Sequence, residues 1–249
     1  MGWSTKPMQS VSPQYEAEEK ITVNGNVDLY AVVFNRTTET DLTEDQLPQV
    51  DIYKYKQVIF VGDSRTEFME NVLTGMGESA TKNVKFVCSA GKGLDWFTTT
   101  GWAQLYSIVQ HDSNSILSKK TAVIFNFGVN DLSKSADYAE YYNWIAPQLK
   151  SKGCELYFMS VNPVNRLMLP NAGRADRSEA AVRSFNQYMK ANLPSAYTYI
   201  DMYSYLKSTG YSFASDHYGT GTVDDGLHYT TRTYKRIFAK CMDSLRVPA

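Results

Sequence analysis

Between residue 57 and the end of the chain, five strand-like apolar runs alternate with helix-like segments, and this alternation constrains the fold more than any other feature. Val58–Val61 is a continuous apolar run, which is typical of a strand buried on both faces. The other predicted strands are 84–88, 122–127, 155–161 and 197–200, and the predicted helices start at 64 or cover about 102–117, 137–151, 175–192 and 231–245. The alternation predicts an α/β fold, a three-layer α/β/α sandwich on a five-stranded parallel sheet. In such a sheet, the functional site lies at the carboxyl ends of the strands.

The segment before the sheet has a different pattern. Residues 21–33 give two short β-type runs around Asn24–Asn26, a sequence typical of a tight hairpin turn. Residues 35–56 are polar and contain Pro48, which indicates a linker or an irregular wrap over the main domain. We therefore expect a small β-hairpin segment over 1–34, the linker or wrap over 35–56, and one α/β domain over 57–249.

Composition excludes several classes of partner and cofactor. Lys and Arg number 25 against 26 Asp and Glu, which argues against nucleic acid, because its phosphates need a clustered basic surface. The sequence has no apolar run of about 18 residues, so we expect no membrane insertion. Cys88, Cys154 and Cys241 form no CxxC pair and the histidines form no HExxH motif, so we expect no metal and no cofactor. Cys88 and Cys154 lie in strand-like runs, which predicts buried thiols.

Polar residues and glycines stand just past the first three predicted strands. Gly62–Ser64 would place the Ser64 hydroxyl at the carboxyl edge of the sheet, with its N–H at a helix N-terminus; the alternative is a simple helix cap. Gly91–Gly93 would let backbone N–H groups approach a ligand, or form only a turn. Asn130, within Gly128–Asp131, could donate to a developing oxyanion, or cap a turn.

Asp225–His228 stands just before the last predicted helix. An Asp three residues before a His, across a glycine, can accept a hydrogen bond from one imidazole nitrogen and leave the other as a general base. The alternative is a surface loop with a helix cap. His217 follows an Asp directly, and adjacent residues cannot readily reach each other, so we interpret it as a loop residue. We expect His111 at the surface or at a helix end, and Asp201 as a local helix cap.

These elements occur in the order Ser, Gly, Asn and Asp-His, and with them the chain resembles the SGNH hydrolases, the GDSL-type esterase superfamily, over residues 57–245. The first block of the superfamily is matched by Val61–Thr66, the third by Gly128–Asp131 and the fifth by Asp225–His228. The second block is reduced to little more than Gly93.

The resemblance implies acyl transfer through a serine ester. The catalytic residues would be Ser64 as nucleophile, His228 as general base, and Asp225, which fixes the tautomer of the imidazole. The oxyanion hole would be formed by the N–H groups of Ser64 and Gly93 and by the side-chain amide of Asn130.

The resemblance also decides between neighbouring candidates. Its spacing favours Asp225 over Asp224, and it favours Gly93 over Gly91 because Gly93 lies further past the strand. Arg65 stands where the familiar Gly-Asp-Ser-Leu has Leu, which leaves catalysis intact but argues against assigning a lipase subfamily.

Residues 2–33 carry a second resemblance, to the second half of an internalin-type bacterial surface repeat. Gly2-Trp3 at its start and Asn26–Ala31 at its end carry the likeness; the alternative is a β-hairpin native to the esterase. The resemblance implies a secreted or cell-surface protein, in which this chain is part of a longer bacterial protein and the signal peptide lies outside it.

We therefore expect a serine esterase that removes small acyl groups, foremost acetyl, from carbohydrate or glycan. The 18 tyrosines and the expected surface location favour an acylated small molecule or polysaccharide as the partner over free lipid. Cationic Arg65 and Lys92 beside the site also argue against a long alkyl chain. The alternatives are an O-acetyltransferase, a lipase or thioesterase with an apolar trough beside Ser64, and a non-catalytic glycan-binding surface module.

Overall fold

The structure is a computed structural model that describes residues 2–5, 15–16, 20–32, 41–51, 54–113, 120–165, 169, 177–214 and 226–245. The strands are β1 (Gly2–Ser4), β2 (Tyr15–Glu16), β3 (Tyr30–Val32), β4 (Tyr55–Gly62), β5 (Val84–Cys88), β6 (Lys120–Asn126), β7 (Cys154–Met159) and β8 (Tyr197–Ile200). The α-helices are α1 (Ser64–Met76), α2 (Leu94–Trp96), α3 (Trp102–Ser113), α4 (Ser135–Ser151), α5 (Glu179–Asn192), α6 (Met202–Thr209) and α7 (Thr231–Ser244). Short 3₁₀ turns occupy Glu44–Gln46 and Leu132–Lys134, and a π-helical turn, Phe97–Gly101, joins α2 to α3.

The five strands β4 to β8 form one sheet in the order β5-β4-β6-β7-β8, and all of its neighbouring pairs are parallel, as predicted. Within this sheet β4 lies between β5 and β6, and its last residue, Gly62, pairs with Cys88 on one side and Asn126 on the other. The segments that follow these three strands therefore leave the sheet side by side. This is the switch point at which open α/β sheets bind their ligands.

Helices cover both faces of the sheet. Along β4 the side chains alternate between two hydrophobic clusters, with Ile59 and Val61 in one and Val58 and Phe60 in the other. The first cluster includes buried residues of α3, α4 and α5, and the second includes those of α1, α6 and α7. This confirms the predicted three-layer sandwich. Among the described residues, no helix combines the length and the apolar character that crossing a membrane requires.

The predicted α/β elements lie within a few residues of their observed positions, and the short helices α2 and α6 were not predicted. β5 and β8 span the predicted residues, whereas α3 ends at Ser113, and residues 114–119 lie outside the described ranges. Helix α6 is absent from the predicted elements. Its N-cap is Asp201, whose side chain accepts a hydrogen bond from the Ser204 N–H at 3.1 Å, which confirms the predicted local cap.

The hairpin predicted around Asn24–Asn26 is wrong. The chain bends at Gly25, which has a φ of 140°, but residues 21–23 form no strand; instead β3 and β2 both pair with β1, antiparallel. Val23, Val27 and Leu29 are exposed. An isolated two-stranded hairpin is at best marginally stable without a face to bury, so the turn sequence alone does not pair the runs beside it.

The polar segment before β4 contributes to the core. Leu47 and Val50 are buried in the hydrophobic cluster that holds Val58 and Phe60. The domain boundaries at 34 and 56 stay predictions.

The three cysteines form no disulfide. Cys154 is buried, as predicted, whereas Cys88 at the end of β5 is only half-buried.

Candidate active site

Ser64 lies where the buried strand β4 passes into helix α1. The strand ends at Gly62, Asp63 caps the helix by accepting a hydrogen bond from the Arg65 N–H at 3.0 Å, and Ser64 is the first helical residue. The backbone N–H of Ser64 therefore points out of the helix N-terminus. Among the described residues, it has no hydrogen-bond acceptor.

His228 lies directly beside this serine. Its Nε2 is 2.7 Å from the Ser64 Oγ, and the two residues are only 1% and 3% exposed. The ring of Phe68, one turn along α1, meets the imidazole edge-on with 4.9 Å between ring centroids. The backbone of His228 is also held, because its carbonyl accepts from the Ala214 N–H at 2.8 Å. The structure therefore brings together two of the residues predicted as catalytic.

Gly93 and Asn130 lie past the two strands that flank β4. The Asn130 Nδ2 donates to the Lys92 carbonyl at 2.8 Å, and the Asp131 carboxylate accepts from the Leu94 N–H at 2.8 Å. Gly93 is thus held between two bonds to consecutive residues of the β6 loop. A Cβ at Gly93 would overlap the Asp131 carboxylate, so this close approach requires glycine.

Arg177 orients the Asn130 side chain and is absent from the sequence analysis. Its Nη2 donates to the Asn130 Oδ1 at 2.9 Å and its Nε donates to the Val129 carbonyl at 2.7 Å. The residue precedes α5 by two positions. A single arginine before a helix carries no local signal that it reaches back to another loop.

The Arg65 side chain is not an exposed cation beside the site, which contradicts its part in the prediction against a long alkyl chain. Its side chain is 2% exposed, and its guanidinium donates to the carbonyls of Leu227, Asn162 and Pro163. Its charge is therefore stabilised by backbone carbonyl dipoles, and the guanidinium is not available as a hydrated group in a substrate pocket. Of the two cations invoked against a long acyl chain, only Lys92 is exposed.

The carboxylates next to these residues have shifted pKa values. Burial raises the pKa of Asp63 to about 6, against the charge of Arg65 and the Arg65 N–H, which both lower it. Burial also raises the pKa of Asp131, while the hydrogen bonds from Leu94 and Tyr138 oppose the shift. The buried carboxyl of Asp63, next to Ser64, therefore titrates near neutral pH.

Several predicted residues lie outside the described ranges. These are Asp225, its rival Asp224, and His217. His111 lies in α3, near its C-terminal end, and its side chain is outside the description. Within the described residues, no group of three or more His, Cys, Asp or Glu side chains could hold a metal ion.

Comparison with solved structures finds similar folds at low sequence identity. A candidate SGNH hydrolase from Slackia heliotrinireducens superposes with a TM-score of 0.51 at 13% identity, over 78% of this chain and 100% of that one. A candidate acylhydrolase from Bacteroides fragilis gives 0.49 at 17% identity, over 81% and 92%. An acetyl xylan esterase gives 0.49 at 11%, over 76% and 100%. The first of these supports the fold alone.

Comparison of the sequence with curated proteins gives no match. The sequence model of the GDSL-like lipase/acylhydrolases, in contrast, matches residues 58–241, which include the whole five-stranded sheet from Val58 and both Ser64 and His228. The chain belongs to the GDSL-like lipase/acylhydrolase family.

Proposed function

We propose that the protein is a serine esterase that cleaves small acyl esters through an acyl-enzyme on Ser64. The observation that carries the proposal is the 2.7 Å contact between the Ser64 Oγ and the His228 Nε2, at the N-terminus of α1 and at the switch point of the sheet. A buried hydroxyl beside an imidazole is the geometry of an activated nucleophile.

The chemistry proceeds in two halves. The Ser64 Oγ attacks the ester carbonyl while the His228 Nε2 accepts the hydroxyl proton; the same imidazole then donates this proton to the departing alcohol. Water attacks the resulting serine ester, His228 takes a proton from that water, and the carboxylic acid leaves as the proton returns to Ser64. Asp225, three residues before His228, is proposed to accept from the other imidazole nitrogen.

The oxyanion formed in each half needs hydrogen-bond donors that are already in place. The N–H of Ser64 is unpaired among the described residues, and Gly93 and Asn130 are fixed by the bonds around Lys92 and Leu94. We assign the N–H groups of Ser64 and Gly93 and the Asn130 Nδ2 to this role. Removal of one such donor typically costs about 10²–10³ in rate.

The substrate that we favour is an O-acetyl ester of a carbohydrate or glycan. The many tyrosines of the chain, the exposed Lys92 beside Gly93, and the resemblance of residues 2–33 to a bacterial surface repeat support this choice. A secreted or cell-surface location is part of the same proposal. If a sugar hydroxyl replaces water in the second half, the same residues perform O-acetyl transfer.

A second candidate function is that of a lipase or thioesterase for longer acyl chains, and the observation that favours it is a groove beside α1. It has a volume of about 780 Å³ and lies between α1 and α7, lined by Phe68, Val72, Met76 and Tyr229 among others. Phe68 also contacts the His228 ring, and Tyr229 directly follows His228, so two of the lining residues adjoin the site. Burying an alkyl chain there would gain about 0.8 kcal/mol per CH₂.

Aryl acetate, butyrate and octanoate below their micellar concentrations, together with acetylated polysaccharides, distinguish these candidates. We expect kcat/KM to be higher for acetate than for octanoate, release of acetate from an acetylated polysaccharide, and loss of both activities in Ser64→Ala. Higher kcat/KM for octanoate would establish the second candidate, provided that Val72→Lys lowers it. Thr74→Lys, on an exposed face of α1, serves as the matched control.

A further inference from the structure

We propose that Arg65 is a positioning residue that holds His228 against Ser64; this inference rests on the proposed function of the Ser64–His228 pair. Arg65 directly follows the serine in α1, yet its side chain is almost completely buried and reaches the segment that carries the histidine. A buried guanidinium is costly unless its donors are satisfied, so the contacts that satisfy it indicate what the side chain holds together.

These contacts join two segments that are distant in the sequence. Arg65 Nε donates to the carbonyl of Leu227, the residue before His228, at 2.9 Å. Nη1 and Nη2 donate to the carbonyls of Asn162 and Pro163, past the end of β7, at 2.8 and 2.9 Å. One planar side chain therefore connects the start of α1 to the backbone at Leu227 and to the backbone at Asn162 and Pro163. A lysine ammonium, a point charge on a flexible stem, does not present donors in this fixed fork.

The two segments are also tied to each other. The Asn165 N–H donates to the Gly226 carbonyl at 2.7 Å, and the hydroxyl of Tyr229 donates to the Pro163 carbonyl, which Arg65 also binds. The Tyr229 ring lies 5.2 Å from the guanidinium carbon. His228 thus stands between two residues, Leu227 and Tyr229, that both contact Arg65, and the guanidinium connects this frame to the helix of the nucleophile.

The expected consequence is an effect on kcat without an effect on KM. Proton transfer from Ser64 requires the imidazole within hydrogen-bond reach, and a misplacement of about 1 Å can cost about 10²-fold in rate. Substrate binding does not involve Arg65, because its side chain is buried and its donors are bonded to carbonyls. We expect Arg65→Lys to lower kcat by about 10- to 100-fold with KM within about twofold of the wild-type value.

Arg236 offers a matched control on α7. It is also buried, and its guanidinium donates to the carbonyl of Gly210 at 2.8 Å and to the carbonyl and hydroxyl of Thr209. Both Arg→Lys variants should lose stability through the same loss of carbonyl contacts. Measured on aryl acetate well below the melting temperature of each variant, only Arg65→Lys should lose kcat.

The experiment compares kcat and KM for wild type, Arg65→Lys, Arg236→Lys and Ser64→Ala. Equal kcat values for the two lysine variants, or a loss in Arg65→Lys that appears in KM, would overturn the positioning role. Activity in Ser64→Ala would instead overturn the proposed function, so the two failures are distinguishable. If Arg65→Lys does not fold by near-UV circular dichroism, Arg65→Gln and Arg236→Gln form the second pair, with the same split expected.

Discussion

The Arg177 guanidinium donates a hydrogen bond to the Asn130 Oδ1 at 2.9 Å, so the Asn130 amide is held with its nitrogen on the opposite side. One N–H of that nitrogen goes to the Lys92 carbonyl, and among the described residues the other has no acceptor. A preorganised donor of this kind loses no reorganisation energy when charge develops on the substrate. The arginine therefore sets which end of the amide points toward Lys92 and is available for the proposed oxyanion role.

We expect Asn130→Ala to lower kcat by about 10²–10³-fold, because one oxyanion donor is lost. Arg177→Met should give a smaller loss, since the amide remains but can rotate. Steady-state kinetics on aryl acetate measure kcat for both variants. Arg177→Met with a greater loss than Asn130→Ala would contradict the order of these roles.

We expect Ser64→Ala to abolish ester hydrolysis while the melting temperature changes by only a few degrees. The change removes one hydroxyl, whose partner is the His228 imidazole, and it leaves the cap of α1 by Asp63 in place. Ester hydrolysis and thermal unfolding are measured on the same preparation. Turnover near the wild-type level would show that the nucleophile is another residue.

Asp225 and Asp224 provide a paired test of the third catalytic residue. Asp225→Asn is expected to lower kcat by about 10⁴-fold, because an amide in place of the carboxylate favours the wrong imidazole tautomer. Asp224→Asn should stay near the wild-type value. The reverse result would assign the role to Asp224.

Activity is expected to rise with pH between about pH 5 and 8, because the general base His228 must be neutral to accept the Ser64 proton. Asp63 also titrates in this range, since burial raises its pKa to about 6. The pH profile of Asp63→Asn separates the two groups. If His228 is the base, the profile persists in that variant, and its disappearance would transfer the effect to Asp63.

Asp63 should also make stability depend on pH. Its pKa in the folded state, about 6, lies above its usual value of 3.8, because burial disfavours the charged carboxylate. The folded state thus holds this proton more tightly than the unfolded state. The resulting stabilisation is fully present below pH 3.8 and is lost as the pH rises through 6.

The free energy of unfolding is therefore expected to fall, relative to Asp63→Asn, by about 2 kcal/mol between pH 4 and 7. Asn cannot ionise but can still accept the Arg65 N–H, so the helix cap is retained. Urea unfolding of both proteins at the two pH values measures the difference. A difference that does not change with pH would contradict a buried carboxyl that titrates in this range.

The sheet and the order of the site elements could be predicted because both follow from patterns of neighbouring residues in the sequence. Val58–Val61 is apolar throughout, and a residue at the end of a parallel strand must emerge at one edge of the sheet. Adjacent strands then bring Ser64, Gly93 and Asn130 to one edge. The cap at Asp201 likewise follows from a local rule, although the eight-residue helix behind it is too short for a clear periodic pattern.

The supporting contacts could not be predicted, because they join residues far apart in the chain. Arg177 reaches Asn130 across 47 positions and Arg65 reaches Leu227 across 162. Both are cations, a residue type that is mostly exposed, and their partial (Arg177) or nearly complete (Arg65) burial becomes favourable only through the carbonyl and amide oxygens that the folded chain supplies. Around Gly25 a local pattern was misleading instead: the sequence is typical of a hairpin turn, but the exposed runs beside it do not pair.

Ser64 and His228 are 164 residues apart, and helix α7, which follows the histidine, packs against α1, which begins at the serine. The pair therefore closes only after the chain has been synthesised at least as far as residue 228. During refolding, helical and sheet signals should recover before ester hydrolysis, because such a long-range contact forms late. Under the proposed roles of Ser64 and His228, the recovery of ester hydrolysis would report the arrival of the C-terminal segment at the start of α1, and a chain that stops before residue 228 would lack the proposed base.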